Sequence, residues 1–117
     1  GRRDAEKPGN NIGRRKAVKA LTASLDKSHP IISIDHEPVQ FDLSAEAGVD
    51  LMLSGHTHKG QFFPMNITAK YIWSNPYGEK KVDNMTSIVT SGVGVFGAAL
   101  RIGTTAEVVK INVTFSE

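Results

Sequence analysis

The chain has 117 residues, enough for one small domain with a modest core. Its hydrophobic fraction of 39% and charged fraction of 22% exclude a disordered chain, and the absence of cysteine excludes disulfides, thiolate metal sites and cysteine nucleophiles. A net charge of +2 is too mild to argue for a nucleic-acid partner, and no apolar run is long enough to span a bilayer.

Residues 1–13 carry Pro8, Gly9, Asn10, Asn11 and Gly13 and read as a loop. A helix is predicted from Arg14 to Asp26, capped by Asn10 or Asn11. Val18, Leu21 and Leu25 form its apolar stripe beside Ala17 and Ala20. Seven of the 14 basic residues (Arg2, Arg3, Lys7, Arg14, Arg15, Lys16 and Lys19) fall in this opening stretch. They form either a solvated helix face or a field that steers an anionic substrate. The opening Gly1-Arg2-Arg3-Asp4, without a methionine, reads as the interior of a longer chain.

Ile31-Ile32-Ser33-Ile34 reads as a short buried strand that ends at Asp35 and His36. A short helix over Leu43 to Ala47 is closed by Gly48, and a second buried strand runs from Val49 to Ser54, closed by Gly55. Helix–strand–helix–strand order implies parallel strands joined by right-handed crossovers, hence an α/β fold. From Gln61 to Thr86 the chain is aromatic and turn-rich, with Pro64, Pro76 and Gly78, and reads as a long irregular segment that carries or covers a site. Phe62, Phe63, Tyr71, Trp73 and Tyr77 are expected to pack it onto the core rather than to line a cleft. Ser87–Thr90, Arg101-Ile102 and the alternating Ala106–Phe115 are predicted strands. Gly92-x-Gly94-x-x-Gly97 has dinucleotide-binding spacing but lacks the helix, second strand and acidic residue such a site needs, so these glycines read as turns.

His36 follows the first predicted strand and His56 the second, with His58 two positions on. Ligands collect at the carboxyl ends of parallel strands, so the three imidazoles converge on one sheet edge if the strands are neighbours. Neutral imidazole is a ligand for zinc, manganese or iron. By spacing alone the histidines serve either as metal ligands or as hydrogen-bonding loop residues. His29, before Pro30, reads as a surface residue.

Ser54-Gly55-His56-Thr57-His58 together with Asp35-His36-Glu37-Pro38 resembles the last two sequence blocks of the calcineurin-like metallophosphoesterases. Ala45–Leu51, Gly60-Gln61, Pro64, Ser91-Gly92-Val93-Gly94 and Arg101-Ile102-Gly103 extend the likeness over most of the chain, toward a bacterial subgroup of phosphohydrolases whose catalytic domain often follows membrane helices. The resemblance implies that the whole chain, residues 1–117, is the C-terminal half of one four-layer α-β-β-α sandwich. His36 and His56 would bind one metal and His58 another, and these three are the candidate catalytic residues. Two divalent ions (Mn, Fe or Zn) and a phosphate-ester substrate, monoester or diester, follow from it.

The family's Asp-x-His, Gly-Asp-x-x-Asp and Gly-Asn-His blocks are not in this sequence, so the missing N-terminal half would supply them. A bridging carboxylate holds two cations together against their repulsion, and three histidines bring no negative charge; the isolated chain is expected to be inactive or nearly so. Cutting such a sandwich bares strand edges and apolar faces, so the chain is expected either to self-associate or to derive from a longer chain by proteolysis, and the parent is expected at a bacterial membrane. Lys59 stands where relatives often carry glycine and would bring a positive charge beside the metals. Asp35 either orients His36 or faces solvent. A three-histidine site for a single ion and a metal-free binding module are the alternatives to the two-metal reading.

Overall fold

A computed structural model describes residues 16–114. Their elements are α1 (Val18–Thr22), β1 (Ile32–Ile34), α2 (Phe41–Glu46), β2 (Leu51–Ser54), a 3₁₀ turn (His58–Gly60), α3 (Met65–Ile72), β3 (Gly78–Val82) and β4 (Met85–Val89). The strands form one sheet in the order β1-β2-β4-β3, with β1, β2 and β4 parallel and β3 antiparallel to β4. The chain is therefore mixed α/β, as expected, and its parallel β1-α2-β2 unit follows the predicted order.

The apolar residues of β2 and β4 divide between two faces. Met52 of β2, with Met85 and Val89 of β4, points to the buried face and meets Val18 of α1 and Phe41 and Ala47 of the α2 segment. Buried Ser87 lies on the same face and accepts a hydrogen bond from Asn75 Nδ2 at 3.1 Å, which satisfies two buried polar groups at once. Registers Ile32↔Leu51↔Thr86 and Ile34↔Leu53↔Ile88 put the remaining apolar residues on the opposite face. There Ile34 is 66% exposed. β1 is thus not the buried strand predicted from its apolar run. It is an edge strand with one face open, and a period of two cannot say whether a second layer covers that face.

Three other elements differ from expectation. The predicted helix over 14–26 is helical only at Val18–Thr22 within the described residues; Arg14, Arg15 and the proposed caps lie outside them. Thr22, not Leu21, shares the buried stripe with Val18, because its hydroxyl donates to Ala47 O at 3.0 Å. The chain then leaves the helix, and Ser28 N–H bonds the Asp26 carboxylate at 2.9 Å in an Asx-type turn. The segment 61–86 is not irregular throughout but contains α3 and β3, and β4 begins at Met85 rather than Ser87. Finally, Ala106–Thr114 runs without strand pairing: Val108 is 86% exposed, and an alternating sequence becomes a strand only where another strand offers its ladder. Ile102 alone bridges, to Phe62.

Candidate metal centre

The parallel strands deliver the histidines to one edge of the sheet. Beyond β1 the backbone stays in register, since Asp35 N donates to Leu53 O at 3.0 Å and Gly55 N donates to His36 O at 3.1 Å. The loops after β1 and β2 are therefore bonded to each other at His36 and Gly55. The rings of His36 and His56 stand edge to face with centroids 5.0 Å apart, and Trp73 packs on the other side of His56 at 5.3 Å. Asp35 is buried, so of the two alternatives for it the solvent-facing one falls away.

After Gly55 the backbone enters the left-handed region at His56 (φ 65), His58 (φ 49), Lys59 (φ 55), Gly60 (φ 77) and Gln61 (φ 54). So many left-handed residues in one turn are costly and persist only where the surroundings enforce them. Thr57 Oγ1 donates to Pro76 O at 2.7 Å and accepts from Lys59 N at 3.3 Å. Buried Gln61 reaches across the chain: its Nε2 donates to Phe96 O (2.8 Å) and Ala98 O (3.1 Å), and Phe96 N donates to its Oε1. Arg101 completes the brace. Its Nη1 donates to His58 O at 3.3 Å, and its Nη2 donates to Ser91 O at 2.8 Å and Gly92 O at 3.1 Å. The guanidinium so ties the turn after β2 to the loop after β4. Gly60 is the tightest point, where a Cβ would lie 2.5 Å from the backbone of Met65 and Asn66.

His58 Nδ1 lies 3.5 Å from Arg101 Nη2. Partial burial, and then the Arg101 guanidinium and His56, push the His58 pKa below the usual imidazole value, against hydrogen bonding toward the Ser91 and Gly94 backbones. The neutral ring is the form that binds a metal.

All three histidines line one cleft of about 620 Å³, whose other walls are Glu37, Thr57, Gly60, Gln61, Phe62, Met65, Trp73 and Phe96. Two imidazoles that share a tetrahedral ion at a metal–nitrogen distance of about 2.1 Å have centroids roughly 5 Å apart. The His36–His56 spacing fits such an ion. The trio does not gather on one point: among the described residues no three His, Cys, Asp or Glu side chains are close enough to hold a metal. Lys59 is not in the cleft wall. Its ammonium sits 4.1 Å over the ring of Tyr77, and the Tyr77 hydroxyl donates to Glu107 Oε2 at 2.8 Å. Phe62 and Trp73 line the cleft, and Phe63 and Tyr71 are exposed, so these aromatics do not pack a loop onto the core as predicted. Gly92 and Gly97 lie in loops with φ of 65° and 68°, as turn glycines do, and His29 is a surface residue paired with Asp26 at 3.2 Å.

Gln61 and Arg101 stand within the family-like motifs, which assign a role to neither, and no motif includes Glu107. That carboxylate accepts from Ser91 N, Thr90 Oγ1 and Tyr77 Oη, all at 2.8–2.9 Å, and anchors the C-terminal stretch to the end of β4. An acidic residue inside an otherwise alternating apolar run was the available signal.

The sheet thus brings histidines to the carboxyl ends of adjacent parallel strands, the edge at which ligands of α/β sheets collect. Neither a family model nor a solved structure matches the chain. Curated relatives do. It is 36% identical over 108 residues to a bovine transmembrane protein with metallophosphoesterase domain (88% of this chain, 23% of the relative). It is 39% identical over 85 residues to an uncharacterized metallophosphoesterase of Helicobacter pylori (71% of this chain, 23% of the relative). A further uncharacterized metallophosphoesterase, from Campylobacter jejuni, is 33% identical over 93 residues (79% and 25%). The chain belongs to the calcineurin-like metallophosphoesterases. It spans about a quarter of the length of the relatives it matches. Among the described residues no helix is long and apolar enough to cross a membrane.

Proposed function

We propose that the full-length protein hydrolyses a phosphomonoester or phosphodiester at two divalent cations (Mn, Fe or Zn). In this reading residues 1–117 form part of one catalytic domain. His36 and His56 hold one ion and His58 the other, and the rest of the domain contributes the acidic ligands. The observation that carries it is the meeting of His36 and His56 at 5.0 Å in a cleft that His58 also lines, in a chain whose relatives are named metallophosphoesterases. When bound, such cations supply hydroxide near neutral pH and neutralise charge on the phosphoryl oxygens. The chain's own part is to present His56 and His58 from a braced turn, with His36 beside them, and to keep one wall of the cleft apolar. The name of the bovine relative supports a membrane anchor for the intact protein.

Metal content and hydrolysis of chromogenic phosphomonoesters and phosphodiesters with manganese, on the full-length protein, test the proposal. Two ions per molecule are expected, and His56→Ala should lower the rate by more than about 100-fold, since even partners of metal ligands are worth 10–100-fold. A His56→Ala protein with near-normal activity would refute this assignment of ligands, whereas a wild type without hydrolysis, whose ligand binding His56→Ala leaves untouched, would make a binding module the better reading.

A further inference from the structure

The cleft is unlike one shaped only for an inorganic head group. The three histidines occupy part of its lining, and Phe62, Met65, Trp73 and Phe96 make an apolar wall beside them. Within this chain, which spans about a quarter of its relatives' length, Phe96 is 79% exposed and Met65 is exposed. A bare aromatic side chain on a loose loop would carry little meaning, but this loop is fixed. The Phe96 amide and carbonyl both bond the buried side chain of Gln61, and Ala98 O takes a third bond. These bonds fix the backbone that carries Phe96 against the histidine-lined cleft. Trp73, pressed edge-on against His56, carries the same apolar surface down to the imidazoles. Concave sites with a few convergent polar groups and apolar walls bind ligands of matching amphiphilic shape.

We propose that the phosphoester taken at this cleft carries an alkyl or acyl chain that lies along Phe62, Met65, Trp73 and Phe96 while its phosphate meets the histidines. The inference rests on the phosphoesterase reading and narrows its substrate class. In the hydrolysis, an oxygen from water forms a bond to phosphorus as the phosphorus–oxygen bond to the alcohol breaks, and the departing alkoxide gains a proton. The apolar chain takes no part in that exchange and contributes through burial alone.

The test uses full-length protein and a homologous series of p-nitrophenyl alkyl phosphates and n-alkyl phosphates, methyl to octyl, kept below their micelle concentrations. Expected is a rise in kcat/KM of about twofold per added methylene, the fraction of full burial that a half-open wall allows. Phe96→Ser and Met65→Ser should each flatten this slope. Val93→Ser, in the same loop but outside the cleft wall, should leave it as it is. A flat wild-type series with measurable hydrolysis overturns this inference alone, and so does a slope that neither wall substitution changes. No hydrolysis anywhere in the series overturns the phosphoesterase reading and this one with it. A flat series combined with vesicle binding that Phe96→Ser abolishes would make the wall a membrane-docking surface and would equally overturn the proposal. If a wall variant does not fold, the wild-type slope still decides.

Discussion

Replacing Gln61 by methionine should release the loop that carries Phe96. The Gln61 side chain is buried at 4% exposure and makes three bonds to that loop, two as donor and one as acceptor. Methionine matches its length and shape and makes none of them. At about 1 kcal/mol net per neutral hydrogen bond, the ceiling on the loss is about 3 kcal/mol. The freed carbonyls of Phe96 and Ala98 sit in an exposed loop and recover bonds to water, so the expected cost is about 2 kcal/mol. A local opening made easier by that amount speeds amide exchange about 30-fold. Hydrogen exchange on the full-length protein reads this directly at the Phe96 amide, with the β2 amides as the internal reference. A Phe96 amide that exchanges as in the wild type, in a Gln61→Met protein shown to be folded, would refute the claim that Gln61 holds this loop.

Arg101→Lys should lower unfolding stability by about 1–2 kcal/mol in urea titration, because a point charge cannot span His58 O and the Ser91 and Gly92 carbonyls as a planar fork does. Glu107 gives a pH dependence of definite sign. Ser91 N–H, and then the Tyr77 and Thr90 hydroxyls, hold its pKa below the ordinary value of 4.5 despite some desolvation. The unfolded chain thus binds this proton more readily, so the contribution is complete above the unfolded pKa and disappears as pH falls through the folded one. Hydrogen exchange at the Ser91 amide, corrected for intrinsic rates, should lose protection only as pH falls below the ordinary carboxylate value of 4.5 in the wild type, and Glu107→Gln should show reduced protection already at neutral pH.

How much of this could be read from the sequence depends on the range over which each feature is encoded. Val49–Ser54 and Ile31–Ile34 read as strands, and the Leu43–Ala47 helix with Gly48 after it reads as a helix, because each is a local pattern closed by a local stop signal. β3 was not legible. Gly-Glu-Lys-Lys-Val has an exposed, charged middle, as edge strands do, and only its pairing with Met85–Val89 makes it a strand. α3 left a faint trace in Met65, Ala69 and Ile72 at helical spacing, which Pro64 and the aromatic residues around it obscured. The mutual approach of His36 and His56 follows from strand order and was legible once the two strands were taken as parallel neighbours. The roles of Gln61 and Arg101 were not, since their partners are mostly backbone groups of distant segments, and a carbonyl has no letter in the sequence.

The close packing at Gly60 has a consequence for how this cleft can vary. One wall begins at Met65, and the turn that bears His56 and His58 ends at Gly60, where main chain touches main chain with no room for even a methyl group. The width of the cleft at that point is set by two backbones in van der Waals contact rather than by any side chain. Lineages of this protein can therefore retune what the cleft accepts by exchanging residues along α3 and the Phe96 loop, while the gauge between helix and histidine turn stays constant.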